Sequence, residues 1–292
     1  MGLEWYLRQF PAALQAGHMT GEASPGYMVY ARVPRLVLSA LPQVRIIALL
    51  REPLDRVWSS YHYNYLDVLG ARGEPAGLQH FAAVEMKVLG GCLDRQGYDP
   101  RAGSGPNADA ARAVDFVACY AAPHGPSLKE QLERVRASVA ASDGDDAAAA
   151  VGFPTQNSHL FRQFLGRGAY SLMLEQWYGT FAAADIAVLC TDDLAMSATL
   201  RPPPQHESGP AATMRRVAAF LGLDPFDFEA TVARGKFNAA GRRGYDQVTP
   251  WDEAKGAQGS MPNELGAALR DFYRPFNERA FELAGRRCPW LE

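Results

Sequence analysis

Arg51 closes a nearly apolar run, VRIIALL (44–50), and is followed by Glu52, Pro53 and a stripe of aromatic residues. Seven residues rich in isoleucine and leucine are too few for a helix and suit a parallel strand covered on both faces. Pro53 stands where the first turn of a helix begins, a position at which its missing N–H costs nothing. Trp58, Tyr61, Tyr65 and Val68 then recur at helical spacing. Where a strand end meets a helix start in an open α/β sheet, unpaired N–H groups and the positive end of the helix dipole favour an anion. The Arg51 guanidinium can fork onto a phosphate there, and Ser59, eight residues on, can add a hydroxyl donor. The same spacing has a plainer reading, in which Arg51 pairs at the surface with Glu52 or Asp55 and Ser59 is an ordinary helix residue.

A second basic stretch, KFNAAGRRGYDQVTP (236–250), is interrupted by glycines, so that backbone amides and guanidinium groups can wrap phosphates. A solvated basic turn would read the same way. Asp192 and Asp193, directly after the apolar run DIAVLC (185–190), can cap the turn that follows.

These groups converge only if a scaffold brings them together. Val33, Leu36, Val37, Ala40 and Leu41 fall at i, i+3, i+4, i+7 and i+8, which predicts a short amphipathic helix over 31–41 with Pro34 in its first turn. Further helices are predicted from Leu128, Leu132, Val135 and Val139, over residues 170–181, and from Met214, Val217, Ala218 and Leu221. DIAVLC reads as a second buried strand. Helices alternating with short buried strands predict an α/β fold, a central parallel sheet flanked by helices, in a single domain over 1–292. Segments 70–80, 94–110 and 201–210 are rich in Gly, Pro and polar residues and are expected as loops.

The segment RIIALLREPLDRVWSSY resembles the 3'-phosphate-binding segment of sulfotransferases that use 3'-phosphoadenosine 5'-phosphosulfate (PAPS), in particular the heparan sulfate and related carbohydrate sulfotransferases. Three further stretches agree in order: GLEWYLRQFP (2–11), GEASPGYM (21–28), similar to a Glu-x-Ser/Thr-Pro-x-Tyr motif, and LRDFYRPFNERAFELAGRRCPW (269–290), similar to a C-terminal helix ending in Trp. The resemblance implies a P-loop-NTPase-like sulfotransferase fold with PAPS as sulfuryl donor and no metal. It implies that Arg51 and Ser59 hold the 3'-phosphate and that Glu22, otherwise an exposed loop glutamate, is the general base for an attacking hydroxyl or amine. It also matches Gly241 and Arg242 to a nucleotide-binding loop, with Arg243 and Tyr245 as neighbours, although a lysine frequent in that loop is alanine here. It likewise matches Asp192 and Asp193 to an acidic strand end. The commonest acceptor of such enzymes is a carbohydrate, and a small molecule is the other kind. His62, Tyr170 and Trp177 either line such an acceptor site or pack inward as core.

Sulfotransferases of this type open with a strand and a Lys-x-Gly-Thr loop for the 5'-phosphosulfate. KVLGGC (87–92) lies in the wrong order and lacks the Thr, so the first strand and P-loop are expected to be absent from this chain, as in an N-terminally truncated domain. Two rivals stand beside this reading. One is a non-catalytic nucleotide- or glycan-binding protein of the same fold; the other, a P-loop nucleoside kinase, is disfavoured because no GxxxxGK[ST] loop occurs.

Composition sets the remaining bounds. Hydrophobic residues at 48%, charged residues at 21% and a net charge of -3 describe an ordinary globular chain, not one that coats nucleic acid, so an anion site must be local. Cys92, Cys119, Cys190 and Cys288 form no CxxC pair, which argues against zinc and leaves three disulfide connectivities open. No membrane segment or signal peptide is evident in the sequence. The resemblance implies a Golgi lumen if an upstream anchor exists.

Overall fold

The structure is a computed structural model that describes residues 3–11, 18–24, 26–62, 76–99, 119, 165–194, 209–237, 248–249 and 261–290. The helix expected around 128–139 lies outside them, as do Tyr65, Val68 and most of the expected loop at 201–210.

Two strands form the centre. β1 (Ile46–Leu50) and β2 (Ile186–Cys190) pair in parallel, with Ile46 opposite Ile186 and Leu50 opposite Cys190. Both lie where the apolar runs place them, and the α/β class with parallel pairing follows. Burial differs from expectation. Ile46, Ala48 and Leu50 face the main core, whereas Ile47 and Leu49 are 40% and 49% exposed. Among the described residues β1 pairs with β2 alone, and the face that carries Ile47 and Leu49 is left partly exposed.

The helices that cover this face are α5 (Tyr170–Tyr178) and α8 (Asn263–Ala284). In α8, Leu265, Leu269, Tyr273, Phe276 and Ala280 recur every three or four residues and are all buried, as an amphipathic helix lying on a core requires. Gly285, at φ 63, ends α8 in the left-handed conformation that glycine adopts without a Cβ clash. The C-terminal segment beyond it is not helical. It runs back over the ends of the strands, burying Cys288 and Trp290 in the main core.

Between β1 and α4 (Ala76–Arg95) lies α3 (Pro53–Tyr61), begun by Pro53 and capped by Glu52, whose carboxylate accepts from the Asp55 amide at 2.5 Å. Val57 and Tyr61 of α3 join Leu78, Ala82, Leu165, Leu265, Leu269 and Tyr273 in a second core cluster. α4 occupies ground expected to be loop at both ends, from Ala76 and through Arg95. Its glycines and its weak division into apolar and polar faces hid the helix from a periodicity argument, and burial of Leu78, Leu89 and Leu93 accounts for it.

Helix α2 (Val33–Ala40) forms as expected, but only part of its stripe turns inward: Val33 and Val37 pack against the main core and Leu36 is 58% exposed. Likewise α6 (Pro210–Leu221) buries Ala211, Ala212 and Ala218 and leaves Met214 outward. The other elements are small: α1 (Leu3–Leu7), α7 (Glu229–Val232) and an antiparallel pair, β3 (Lys236–Phe237) with β4 (Val248–Thr249). Two disulfides, Cys92–Cys119 and Cys190–Cys288, resolve the connectivity.

Candidate active site

The site grows from the end of β1. Leu50 is buried, and the chain leaves the core at Arg51, whose peptide groups would be left unpaired by the end of the ladder. A single hydroxyl satisfies both: Tyr170 Oη accepts from the Arg51 N–H at 3.3 Å and donates to the Arg51 carbonyl at 2.8 Å. Tyr170 begins α5 and is itself buried; burial pushes its hydroxyl pKa up, so it stays a protonated donor. Its ring packs on Trp290 at 5.8 Å.

Tyr170 can begin its helix here because the preceding turn, Gly166–Gly168, is held from below. Buried Glu85 accepts from the Leu165 and Gly166 amides at 2.8 and 3.0 Å, and Tyr273 donates to the Leu165 carbonyl at 2.9 Å. Gly168 is required by close approach, since a Cβ there would meet the Tyr273 ring at 2.9 Å.

The Arg51 side chain is half-buried and, among the described residues, has no ion-pair partner. The plainer pairing with Glu52 or Asp55 is not formed, because Glu52 is spent on capping α3; burial raises its carboxyl pKa. Ser59, also half-buried, comes seven residues after that cap, close to two helical turns, and so shares its side of α3. Arg56 and Arg167 bring further positive charge. Burial, and then the charge of Arg56, pull the Arg167 pKa down, while Arg56 and Arg51 both favour the anionic form of Tyr170. A strand end, a helix start and the Arg51 guanidinium are groups that can receive an anion. Sequence reasoning overlooked Arg56, though it lies in the same motif, and Arg167, which only the fold brings near.

The other expected residues fall in several places. Glu22 is exposed and accepts from the Tyr6 hydroxyl at 3.1 Å, with Tyr27 as a second phenol partner. Burial and then this carboxylate push the Tyr6 pKa up to about 12, and the Glu22 contact is the leading cause of the upward shift at Tyr27. His62 caps the end of α3 with its ring edge-on to Trp58 at 4.5 Å, and its Nε2 is buried without a hydrogen-bond partner among the described residues. Trp177 is buried and stacked on Phe181 at 5.8 Å, which is an inward-packed position. Tyr170 also points inward. Gly241, Arg242, Arg243 and Tyr245 lie outside the described residues.

Asp192 and Asp193 serve the C-terminal segment as well as their own turn. Asp193 accepts from the Cys190 amide at 2.8 Å and from Arg286 at 3.0 Å, and Asp192 accepts from Trp290 Nε1 at 3.2 Å. Burial raises the Asp192 pKa. At Asp193 burial acts in the same direction but is outweighed by Arg286, the Cys190 amide and Arg216, which hold its carboxyl below the usual range.

No family model matches the chain. Among curated proteins it is 20% identical to the membrane-associated sulfotransferase kil1 of Dictyostelium discoideum, over 99% of this chain and 57% of that protein. It is 23% identical to human heparan sulfate glucosamine 3-O-sulfotransferase 6, over 99% of this chain and 61% of that protein. It is also 23% identical to the mouse heparan sulfate glucosamine 3-O-sulfotransferase 3A1, over 99% and 53% respectively. The chain thus spans between 53% and 61% of the length of these relatives. A sulfotransferase from Alicyclobacillus acidocaldarius aligns with a TM-score of 0.44 at 17% identity, over 98% of this chain and 72% of that one.

Proposed function

We propose that this chain, a relative of the sulfotransferases along nearly its whole length, supplies the 3'-phosphate clamp and the general base of an enzyme that moves the sulfuryl group of PAPS to a hydroxyl or amine of a carbohydrate acceptor. The observation that carries the reading is the Arg51 guanidinium, presented at the strand end with no ion-pair partner among the described residues and its backbone clasped by Tyr170. Arg51 and Ser59 take the 3'-phosphate, and Gly241, Arg242, Arg243 and Tyr245 close over the nucleotide. PAPS supplies an activated sulfuryl group with a stable bisphosphate as leaving group.

In this proposal Glu22 takes the proton of the attacking acceptor, and the Tyr6 and Tyr27 hydroxyls keep its carboxylate in one orientation. The disulfides Cys92–Cys119 and Cys190–Cys288 suit an oxidising compartment, such as a Golgi lumen. Among the described residues no helix is long and apolar enough to cross a membrane.

The test is a transfer assay, on a protein that also carries the Lys-x-Gly-Thr loop, with sulfur-labelled PAPS and a panel of glucosamine-containing oligosaccharides, simple phenols and amines. Label appearing in the oligosaccharides supports the proposal, and label in the phenols or amines alone redirects the acceptor class. A protein that binds the bisphosphate and labels nothing is the non-catalytic binder instead.

A further inference from the structure

Nothing in the resemblance gives Tyr170 a part in holding the donor, and the sequence suggested either the acceptor site or the core. We infer that Tyr170 is a positioning residue for Arg51: its buried hydroxyl fixes the peptide groups on both sides of that residue and so sets the direction in which the guanidinium leaves the strand. The inference rests on the donor reading above.

Three observations carry it. The hydroxyl holds the Arg51 N–H and C=O together, at 3.3 and 2.8 Å, so it constrains φ and ψ of one residue from both ends. Tyr170 is unable to yield. Behind its ring stands Trp290, at 5.8 Å, which is anchored by Nε1–H to Asp192, by its own packing on Phe281 at 5.1 Å, and by the Cys190–Cys288 disulfide two residues before it. The preceding turn is pinned by Glu85 and Tyr273, with Gly168 pressed against the Tyr273 ring. A long, flexible arginine side chain loses much rotamer freedom on binding an anion, and a fixed Cα removes one source of that loss.

The experiment compares Tyr170→Phe with the parent chain by titration calorimetry, using adenosine 3',5'-bisphosphate and adenosine 5'-monophosphate as probes. The phenyl ring keeps the packing and loses only the hydroxyl. Bisphosphate affinity is expected to fall roughly three- to tenfold, the scale of one net hydrogen bond, while monophosphate affinity stays within about twofold. A general loosening of the fold would weaken both ligands alike, and that result overturns the inference. Arg51→Ala separates the two layers. If it leaves the preference for bisphosphate intact, the donor reading fails and the inference with it. If it removes the preference while Tyr170→Phe keeps it in full, the donor reading stands and the positioning role is wrong.

Should Tyr170→Phe not fold, the parent chain supplies the answer by amide hydrogen exchange. The Arg51 amide is expected to exchange on the order of tenfold or more slowly than an open loop amide, because the Tyr170 hydroxyl holds it. Exchange at the open rate overturns the inference.

Discussion

Glu175 and Arg279 meet at 2.6 Å inside the protein, with side chains only 4% and 7% exposed, and join α5 to α8 across the main core. Arg279 also reaches Glu282 at 3.1 Å, so the buried guanidinium keeps partners on two sides. α5 is the helix that carries Tyr170.

Removing one member of such a pair strands a charge in an apolar setting. Glu175→Gln or Arg279→Leu is expected to cost about 3–5 kcal/mol in urea unfolding, whereas Glu175→Leu combined with Arg279→Leu should recover most of that loss. Additive losses in the double variant would show that packing, and not the stranded charge, sets the cost.

The latch at Asp193 makes a pH-dependent contribution whose sign follows from its depressed pKa. The folded carboxyl sits below the unfolded value of about 3.9, so its stabilisation is fully present above that value and is lost as the pH falls through the folded pKa. Asp193→Asn should therefore lower stability near neutrality and flatten the loss on acidification below about pH 4. Asp192 and Glu52, shifted upward by burial, act in the opposite sense and are common to both proteins. Unfolding free energies of the two proteins from pH 7 to pH 2 check this: parallel curves would mean that Asp193 is not linked to folding.

The Cys190–Cys288 disulfide closes a separation of 98 residues and ties the C-terminal segment to the end of β2. Replacing both cysteines by alanine is expected to cost about 2–5 kcal/mol. The change should also weaken the bisphosphate more than the monophosphate, because Trp290 behind Tyr170 is then less firmly held. Equal weakening of the two ligands would confine the disulfide to a stability role.

In a protein that also carries the Lys-x-Gly-Thr loop, Glu22→Gln should abolish sulfuryl transfer while changing bisphosphate affinity by less than about 1 kcal/mol, since a base acts in the chemical step alone. Turnover retained in this variant would remove Glu22 from the mechanism.

Much of the frame was legible in the sequence because it rests on local patterns. The runs ending at Leu50 and Cys190 do form the parallel strands, and Pro53 with Glu52 does begin a helix at the strand end. Burial was less legible. Ile47, Leu49 and Leu36 are as apolar as their buried neighbours, and only the number of strands and helices packed beside them decides which side is covered. α4 escaped because its glycines mimic loop composition. At the site, the motif around Arg51 could be read along the chain. The clasp from Tyr170, 119 residues away, and the contribution of Arg167 could not, for no spacing rule links residues joined only by tertiary packing.

Binding of adenosine 3',5'-bisphosphate and adenosine 5'-monophosphate to the parent chain and to Arg51→Ala tests the central claim most directly. The parent should prefer the bisphosphate, and Arg51→Ala should lose roughly 2–4 kcal/mol for it and almost nothing for the monophosphate, since a charge-assisted bidentate contact to the 3'-phosphate is what the substitution deletes. A parent chain that binds both nucleotides equally, or an Arg51→Ala variant that keeps the preference, would contradict a donor site built on Arg51.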